Sequence, residues 1–145
     1  MTARLRPNWS FLCVSAGILW AFCLCGAADE TGGMPLIYCD KPFHDFGVKQ
    51  QSSAPFLHSF RVENLGDAPL LIKAVSADNG CGCSSSGTVA DRRVNPGSNT
   101  LVLVKLRMDQ GKGAVCEGWT IESNDPQTPK YEVMVCGVIA ADVEV

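Results

Sequence analysis

The sequence predicts an all-β sandwich of about seven strands, and two observations support this prediction. Short apolar, β-branched runs recur roughly every 8–12 residues with turn-forming residues between them, which is typical of a sandwich of short strands. Beyond the N-terminal region, no segment carries the 3.6-residue apolar stripe of a helix. The 145 residues leave room for one such domain.

The first predicted strands are short and interrupted. Residues 36–39 favour a strand, Pro42 breaks the pattern, and residues 44–48 resume an extended path. Proline in such a run marks an edge strand, because it has no N–H to donate to a neighbouring strand. Residues 56–63 then alternate between two faces, which predicts a half-buried strand with Phe60 in the core.

The remaining strands follow at similar spacing, and Trp119 is expected in the core. Residues 88–94 are weakly patterned and are not assigned to a strand. Composition rich in Asn, Gly, Pro and Asp predicts the turns at residues 64–67, 95–98, 111–113 and 124–129. The predicted later strands are residues 70–75, 101–106, 115–122 and 131–138.

The N-terminus has the order of a secretory signal peptide. Arg4 and Arg6 precede an apolar run at residues 11–24, and small residues follow at 26–28. The run is shorter than the roughly 20 apolar residues of a membrane span. We therefore expect export and cleavage after Ala28, with an uncleaved anchor as the alternative. This divides the chain into a signal peptide (1–28), a flexible leader (29–35) and the sandwich domain (36–145), located in the periplasm, the cell envelope or the extracellular space.

Charge narrows the range of partners. The formal net charge is −3, and it becomes −5 when Arg4 and Arg6 are removed with the signal peptide. No basic stripe remains, so nucleic acid is not an expected partner. Membrane contact is expected only if the N-terminal segment stays attached.

The cysteines of the mature chain are odd in number, so they cannot all pair with one another. Of the eight in the sequence, three leave with the signal peptide. Cys116 and Cys136 fall opposite each other, or one residue off, if the last two strands form a hairpin, which predicts a structural disulfide. Two buried free thiols are the alternative. The five cysteines that remain are Cys39, Cys81, Cys83, Cys116 and Cys136.

The Cys81-Gly82-Cys83 stretch lies in a predicted loop and supports three readings. In the first, Cys81 or Cys83 forms a disulfide with Cys39. In the second, the two cysteines stay reduced or form a strained bridge that exchanges with other thiols. In the third, their thiolates bind a soft metal such as Cu(I), with a histidine such as His44 as a further ligand. A four-ligand zinc site lacks a second cysteine pair.

The two histidines have structural explanations. His58 shares a predicted strand face with Phe56 and Phe60, so we expect a partly buried side chain rather than a ligand. His44 is expected to hydrogen-bond the backbone at a turn. We predict no catalytic residue, because the sequence contains no nucleophile elbow, no phosphate loop and no carboxylate pair singled out by spacing.

Several motifs in order along the chain resemble a known family. The sequence is similar to the bacterial exported family of domains of unknown function numbered 1573, and through it to Hydin-type and major-sperm-protein domains. That resemblance implies an immunoglobulin-like sandwich and no established activity. Two departures are Ser84, where a threonine is usual, and the pair Cys116 and Cys136, which the family pattern lacks. The matching motifs are residues 44–47, 60–66, 69–72, 81–83, 95–98 and 123–126.

These observations lead to two functional hypotheses. The first is a non-enzymatic, exported, immunoglobulin-like module that binds another protein or has a structural role in the cell envelope, with no cofactor. The alternative is a thiol-redox or copper-handling protein that uses Cys81 and Cys83. A thioredoxin-like enzyme is disfavoured, because that fold needs Cys-x-x-Cys at a βαβ turn.

Overall fold

A computed structural model describes residues 32–78, 86–109 and 111–141. These residues form nine strands and no helix, so none of their segments is a helix long and apolar enough to cross a membrane. The predicted signal peptide lies outside the described residues. The strands are β1 (Ile37–Cys39), β2 (Phe43–Gln50), β3 (Phe56–Asn64), β4 (Leu70–Ala77), β5 (Ser86–Val89), β6 (Arg93–Val94), β7 (Asn99–Leu106), β8 (Gly113–Ser123) and β9 (Lys130–Ala140).

The strands form two sheets, which confirms the all-β prediction. One sheet has four strands in the order β1-β3-β7-β5, and the other has five in the order β2-β9-β8-β4-β6. The two strands beyond the predicted seven are β5 and β6, which come from the weakly patterned region and pair with different sheets. Their side chains alternate too briefly to give a sequence signal, and neighbouring strands β7 and β4 position them.

Strands β1 and β2 are one extended segment that changes sheet at Pro42. Strand β1 pairs antiparallel with β3, and β2 pairs parallel with β9. Both are edge strands, as the proline predicted. Because β1 ends after three residues, it covers only the last part of β3.

The core lies between the sheets and is made of the inward-facing residues of β3, β4, β7, β8 and β9. Strand β7 alternates strictly, with Val102, Val104 and Leu106 buried. Phe60 and Trp119 are fully buried, as expected from the sequence. Burial of such large apolar side chains is the main favourable contribution to folding.

Asn64, at the end of β3, bonds to four backbone groups in three separate segments of the chain. Its side chain is fully buried at 0% exposure. Oδ1 accepts hydrogen bonds from the N–H groups of Leu36 (3.2 Å) and Gly66 (3.0 Å). Nδ2 donates to the carbonyls of Ala68 (2.8 Å) and Val94 (3.0 Å). A buried amide that uses all of its donors and acceptors in this way fixes the loops around it.

Asp125 and Asn124 act similarly in the β8–β9 turn. Oδ2 of Asp125 accepts the N–H of Ile37 at 2.9 Å, and its Oδ1 accepts the N–H groups of Gln127 and Thr128. Asn124 accepts the N–H of Leu71 and donates to the carbonyl of Pro69. We call Asn64, Asn124 and Asp125 the stapled end of the sandwich.

Candidate functional site

The cysteines predicted to be functional are not brought together among the described residues. Cys81 and Cys83 lie outside those residues, so the readings that depend on them remain predictions. Cys39 lies at the end of β1 as a buried, free thiol. Burial raises the pKa of this thiol, although the N–H of Lys41 donates a hydrogen bond to it, which favours the thiolate. A reactive cysteine needs a lowered pKa, so Cys39 has the character of a structural thiol.

Cys116 and Cys136 form a disulfide, at the position that the hairpin register predicted. The two residues are direct cross-strand partners, with Cα atoms 4.1 Å apart. The bond lies on the outer face of the five-stranded sheet, because the residues on either side of Cys116, Val115 and Glu117, are buried. It closes a loop across a sequence separation of 20, which the chain-entropy model values at about 3 kcal/mol.

The motif His-Asp-Phe-Gly at residues 44–47 builds a bulge in β2. Asp45 accepts the N–H of Gly47 at 2.7 Å, and Gly47 adopts a left-handed φ of 69°. The register with β9 shifts at this point. We expected His44 to bond the backbone here, but Asp45 has that role. Phe46 packs against Gly137 of β9. A Cβ atom at position 137 would lie 2.4 Å from the Phe46 ring, so this contact requires glycine.

His44 and His58 stack across the gap between the two sheets. Their ring centroids lie 3.8 Å apart with planes 13° from parallel. Phe56 stacks near His44, and Phe60 meets His58 edge-on. His58 is therefore the half-buried aromatic neighbour that the sequence predicted. Burial, and secondarily the charge of His44, lowers the pKa of His58.

This stacking disfavours His44 and His58 as joint metal ligands. An imidazole nitrogen binds an ion in the plane of its ring at about 2 Å. Because the two planes are nearly parallel and separated, one ion cannot lie in both. Across the described ranges, no group of three or more His, Cys, Asp or Glu side chains could hold a metal ion. The proposed role of His44 with Cys81 and Cys83 is not tested by this geometry.

Among the described residues, part of one edge of strand β3 has no neighbouring strand. The N–H of Leu65 donates to Leu36 on the β1 side, and the N–H of Asn64 donates to Ser98 on the β7 side. Backbone groups alternate in direction along a strand. The backbone groups of Arg61 face Asp40, the residue that follows β1, so the N–H and C=O groups that point to the β1 side beyond the end of β1 are those of Leu57 and Ser59. We call these backbone groups the open edge of β3.

A groove of about 420 Å³ runs along part of this open edge, and we call it the β3 groove. The chain that leaves β1 forms one wall, and β3 forms the other. Cys39, His58 and Phe60 contribute from the interior of the sandwich. Four charged residues line the groove, two of each sign: Asp40, Lys41, Arg61 and Glu63. Nε of Arg61 lies 3.1 Å from Glu63.

A cysteine and a histidine in one groove could suggest nucleophilic catalysis. Such a pair works when the histidine lowers the pKa of the thiol. Here burial raises the pKa of Cys39, and the ring of His58 is stacked against His44. These features therefore do not favour nucleophilic catalysis by Cys39 and His58.

Sequence reasoning did not identify the open edge of β3. The alternation of residues 56–63 predicted the strand, but not which neighbours it has. The one available signal was Pro42, which predicted that the first strand would be broken and therefore short. Sequence reasoning also expected a binding loop at Cys81 and Cys83, which lies outside the described residues.

Comparison with solved structures gives similar folds at low sequence identity. A protein of unknown function from Porphyromonas gingivalis W83 is 19% identical with a TM-score of 0.61, over 72% of this chain and 47% of that one. The VesB protease of Vibrio cholerae is 11% identical with a TM-score of 0.53, over 70% of this chain and 31% of that one. This chain thus spans about half of the first protein and about a third of the second.

The human CEP192 ASH/PapD-like domain 7 is 10% identical with a TM-score of 0.51, over 76% of this chain and 89% of that domain. At these identities the likeness shows an immunoglobulin-like fold and nothing about activity. A comparison with curated proteins gave no significant match. The family model described as "Protein of unknown function (DUF1573)" matches residues 37–139, nearly the whole sandwich. The chain therefore belongs to the DUF1573 family, as the order of its motifs predicted.

Proposed function

We propose that this chain is an exported, non-enzymatic immunoglobulin-like module that binds another protein in the cell envelope or outside the cell. The observation that carries the proposal is the open edge of β3. Its backbone groups lie beside a groove and have no strand opposite them among the described residues. Sheet edges of this kind pair readily with another chain.

Exposed apolar side chains next to this edge also support a binding role. Leu57 is 54% exposed, and Leu103 lies beside it on the outer face of the same sheet. Tyr38 and Leu101 are exposed on that face as well. Large apolar side chains exposed on one face are compatible with a protein interaction site.

Export is supported by the order of the N-terminal segments and by the disulfide. Cys116 and Cys136 are bonded, which is expected in an oxidising compartment. The disulfide also lies on an outer face, where a cytosolic reductant would reach it. The protein is therefore proposed to act in the periplasm or beyond.

The test uses the full chain with its own leader, expressed in a bacterium that secretes it. A photo-crosslinking amino acid replaces Leu57, and a second variant carries it at Val48 on β2 as the matched control. We expect an intact mass that begins at Asp29 and a cross-link to another protein from position 57. A double variant, Cys81→Ser with Cys83→Ser, should leave this cross-link unchanged.

Two results would contradict the proposal. One is a chain that retains residues 1–28 in the cytoplasm. The other is loss of the cross-link in the double cysteine variant, together with a bound copper mass that protects two thiols from alkylation. That second result would instead support the thiol-redox or copper-handling hypothesis.

A further inference from the structure

We infer that the β3 groove receives an extended segment of a partner protein, which adds to the four-stranded sheet as an antiparallel strand beside β3. The inference rests on the proposed protein-binding function and names where and how the partner binds. The added strand would continue the line of β1, which already runs antiparallel to β3. The occupant is thus a strand-forming peptide segment rather than a small molecule or a folded surface.

The backbone of β3 is suited to this pairing. Residues 56–63 pair with β7 in continuous register, without a bulge. On the opposite side, Leu57 and Ser59 present two N–H and two C=O groups in the plane of the sheet, with no strand beside them among the described residues. Only another extended backbone matches donors and acceptors that repeat every second residue.

The other sheet edges carry features that discourage pairing. Strand β2 has the bulge at Gly47 and the charged Lys49. Strands β5 and β6 have only four and two residues. Bulges, charges and short length are the usual protection of an edge. The open edge of β3, at Leu57 and Ser59, has neither a bulge nor a charged side chain.

The side chains around the edge define the chemistry of the added segment. Alternate residues of that segment would point inward beside His58 and Phe60, where the surroundings are aromatic. The residues between them would point outward beside Leu57 and Arg61. We therefore expect apolar residues at the inward positions and opposite Leu57.

The register of β1 sets where the added segment begins. Asp40 of this chain follows β1 and takes the position opposite Arg61, so the added segment would begin opposite Ser59. The groove lining carries two charges of each sign, and Nε of Arg61 lies 3.1 Å from Glu63, so the lining selects neither an acidic nor a basic residue.

The experiment selects nine-residue peptides from a random displayed library against the immobilised mature chain. Binding of the enriched peptides is then compared between the wild type and two proline variants. Ser59→Pro removes an N–H of the open edge. Gln50→Pro is the matched control on β2. The N–H of Gln51 donates to the carbonyl of Ala140 on β9, so the N–H of Gln50, one residue earlier, points away from β9 and no ladder bond is lost.

We expect enriched peptides with alternating apolar residues. Ser59→Pro should weaken their binding by about tenfold or more, since it removes a hydrogen bond and places a ring in the groove, while Gln50→Pro should leave it within about twofold. Amide hydrogen exchange at Leu57 and Ser59 should slow when peptide is bound. Slower exchange at these two sites identifies the added strand directly.

Three results would overturn the inference. The first is that no peptide is enriched, and the second is that enriched peptides bind Ser59→Pro as tightly as the wild type. The third is that the two amides become protected with rising protein concentration alone, because the occupant is then a second copy of this chain. A cross-link to another protein from position 57 would still support the proposed function in each case, because a folded partner can contact Leu57 without adding a strand, so the two failures are distinguishable.

Discussion

The two halves of strand β3 lie in opposite surroundings. At its C-terminal end, the side chain of Asn64 is fully buried and bonds to four backbone groups. Along its first half, Leu57 and Ser59 have a neighbouring strand on one side only among the described residues. The first region is fixed by the hydrogen bonds of a buried polar side chain, and the second keeps backbone groups available to a partner.

This difference separates the family motifs from the proposed binding site. The motifs that contain Asn64, Asn124 and Asp125 fall at the stapled end, where their side chains hold loops together. The open edge of β3 needs only an extended backbone, and many side chains are compatible with that. The most recognisable residues are therefore structural, while the surface proposed to bind has little signature of its own.

The largest expected effect is at the stapled end. Asn64→Ala removes two donors and two acceptor bonds and leaves four backbone groups without their partner. Each unsatisfied buried group costs about 1–3 kcal/mol, so we expect a loss of roughly 3–5 kcal/mol in the free energy of unfolding, measured by urea denaturation. The matched control is Asn95→Ala, at an exposed turn position, which should cost less than about 1 kcal/mol. Equal losses in the two variants would contradict the role given to Asn64.

A smaller loss of stability is expected when proline replaces an outward-facing residue of the four-stranded sheet, and its size should differ between two positions. Leu103 lies in β7, which has β3 on one side and β5 on the other, so proline there removes a ladder hydrogen bond. Ser59 faces the open edge, where no ladder bond is lost. We expect Leu103→Pro to lower the free energy of unfolding by about 2–3 kcal/mol and Ser59→Pro by less than about 1 kcal/mol. A loss for Ser59→Pro as large as that for Leu103→Pro would mean that the edge is already paired.

The smallest expected effect is a pH dependence of stability that comes from His58 on strand β3. The pKa of His58 is lowered in the folded state, by burial first and by His44 second. In the unfolded chain His58 has its ordinary pKa of 6.5, so below that pH the unfolded chain binds more protons than the folded chain. The contribution of His58 to stability is therefore complete above pH 6.5 and is lost as the pH falls through the pKa of the folded state.

Thermal denaturation at about pH 8 and about pH 5 measures this effect. We expect the melting temperature of the wild type to fall more on acidification than that of His58→Phe. Phe56→Leu is the control, because it disturbs the same aromatic cluster without removing a titratable group. If His58→Phe loses as much as the wild type, the pH dependence has its origin elsewhere.

The strands with clear alternation could be read from the sequence, because alternation depends only on which residues face the core. Residues 56–63 and 101–106 were predicted within a residue or two of β3 and β7. The opposition of Cys116 and Cys136 was also predictable, since a hairpin fixes the register of its two strands. These are local properties of the chain.

The neighbours of each strand were decided only by the tertiary structure. The sequence indicated a break at Pro42, but not that β1 and β2 join different sheets and so leave part of β3 uncovered. The stacking of His44 on His58 likewise joins residues of strands in two separate sheets. Sequence patterns record the face that a side chain takes, whereas the partner across a sheet or a core depends on packing between segments far apart in the chain.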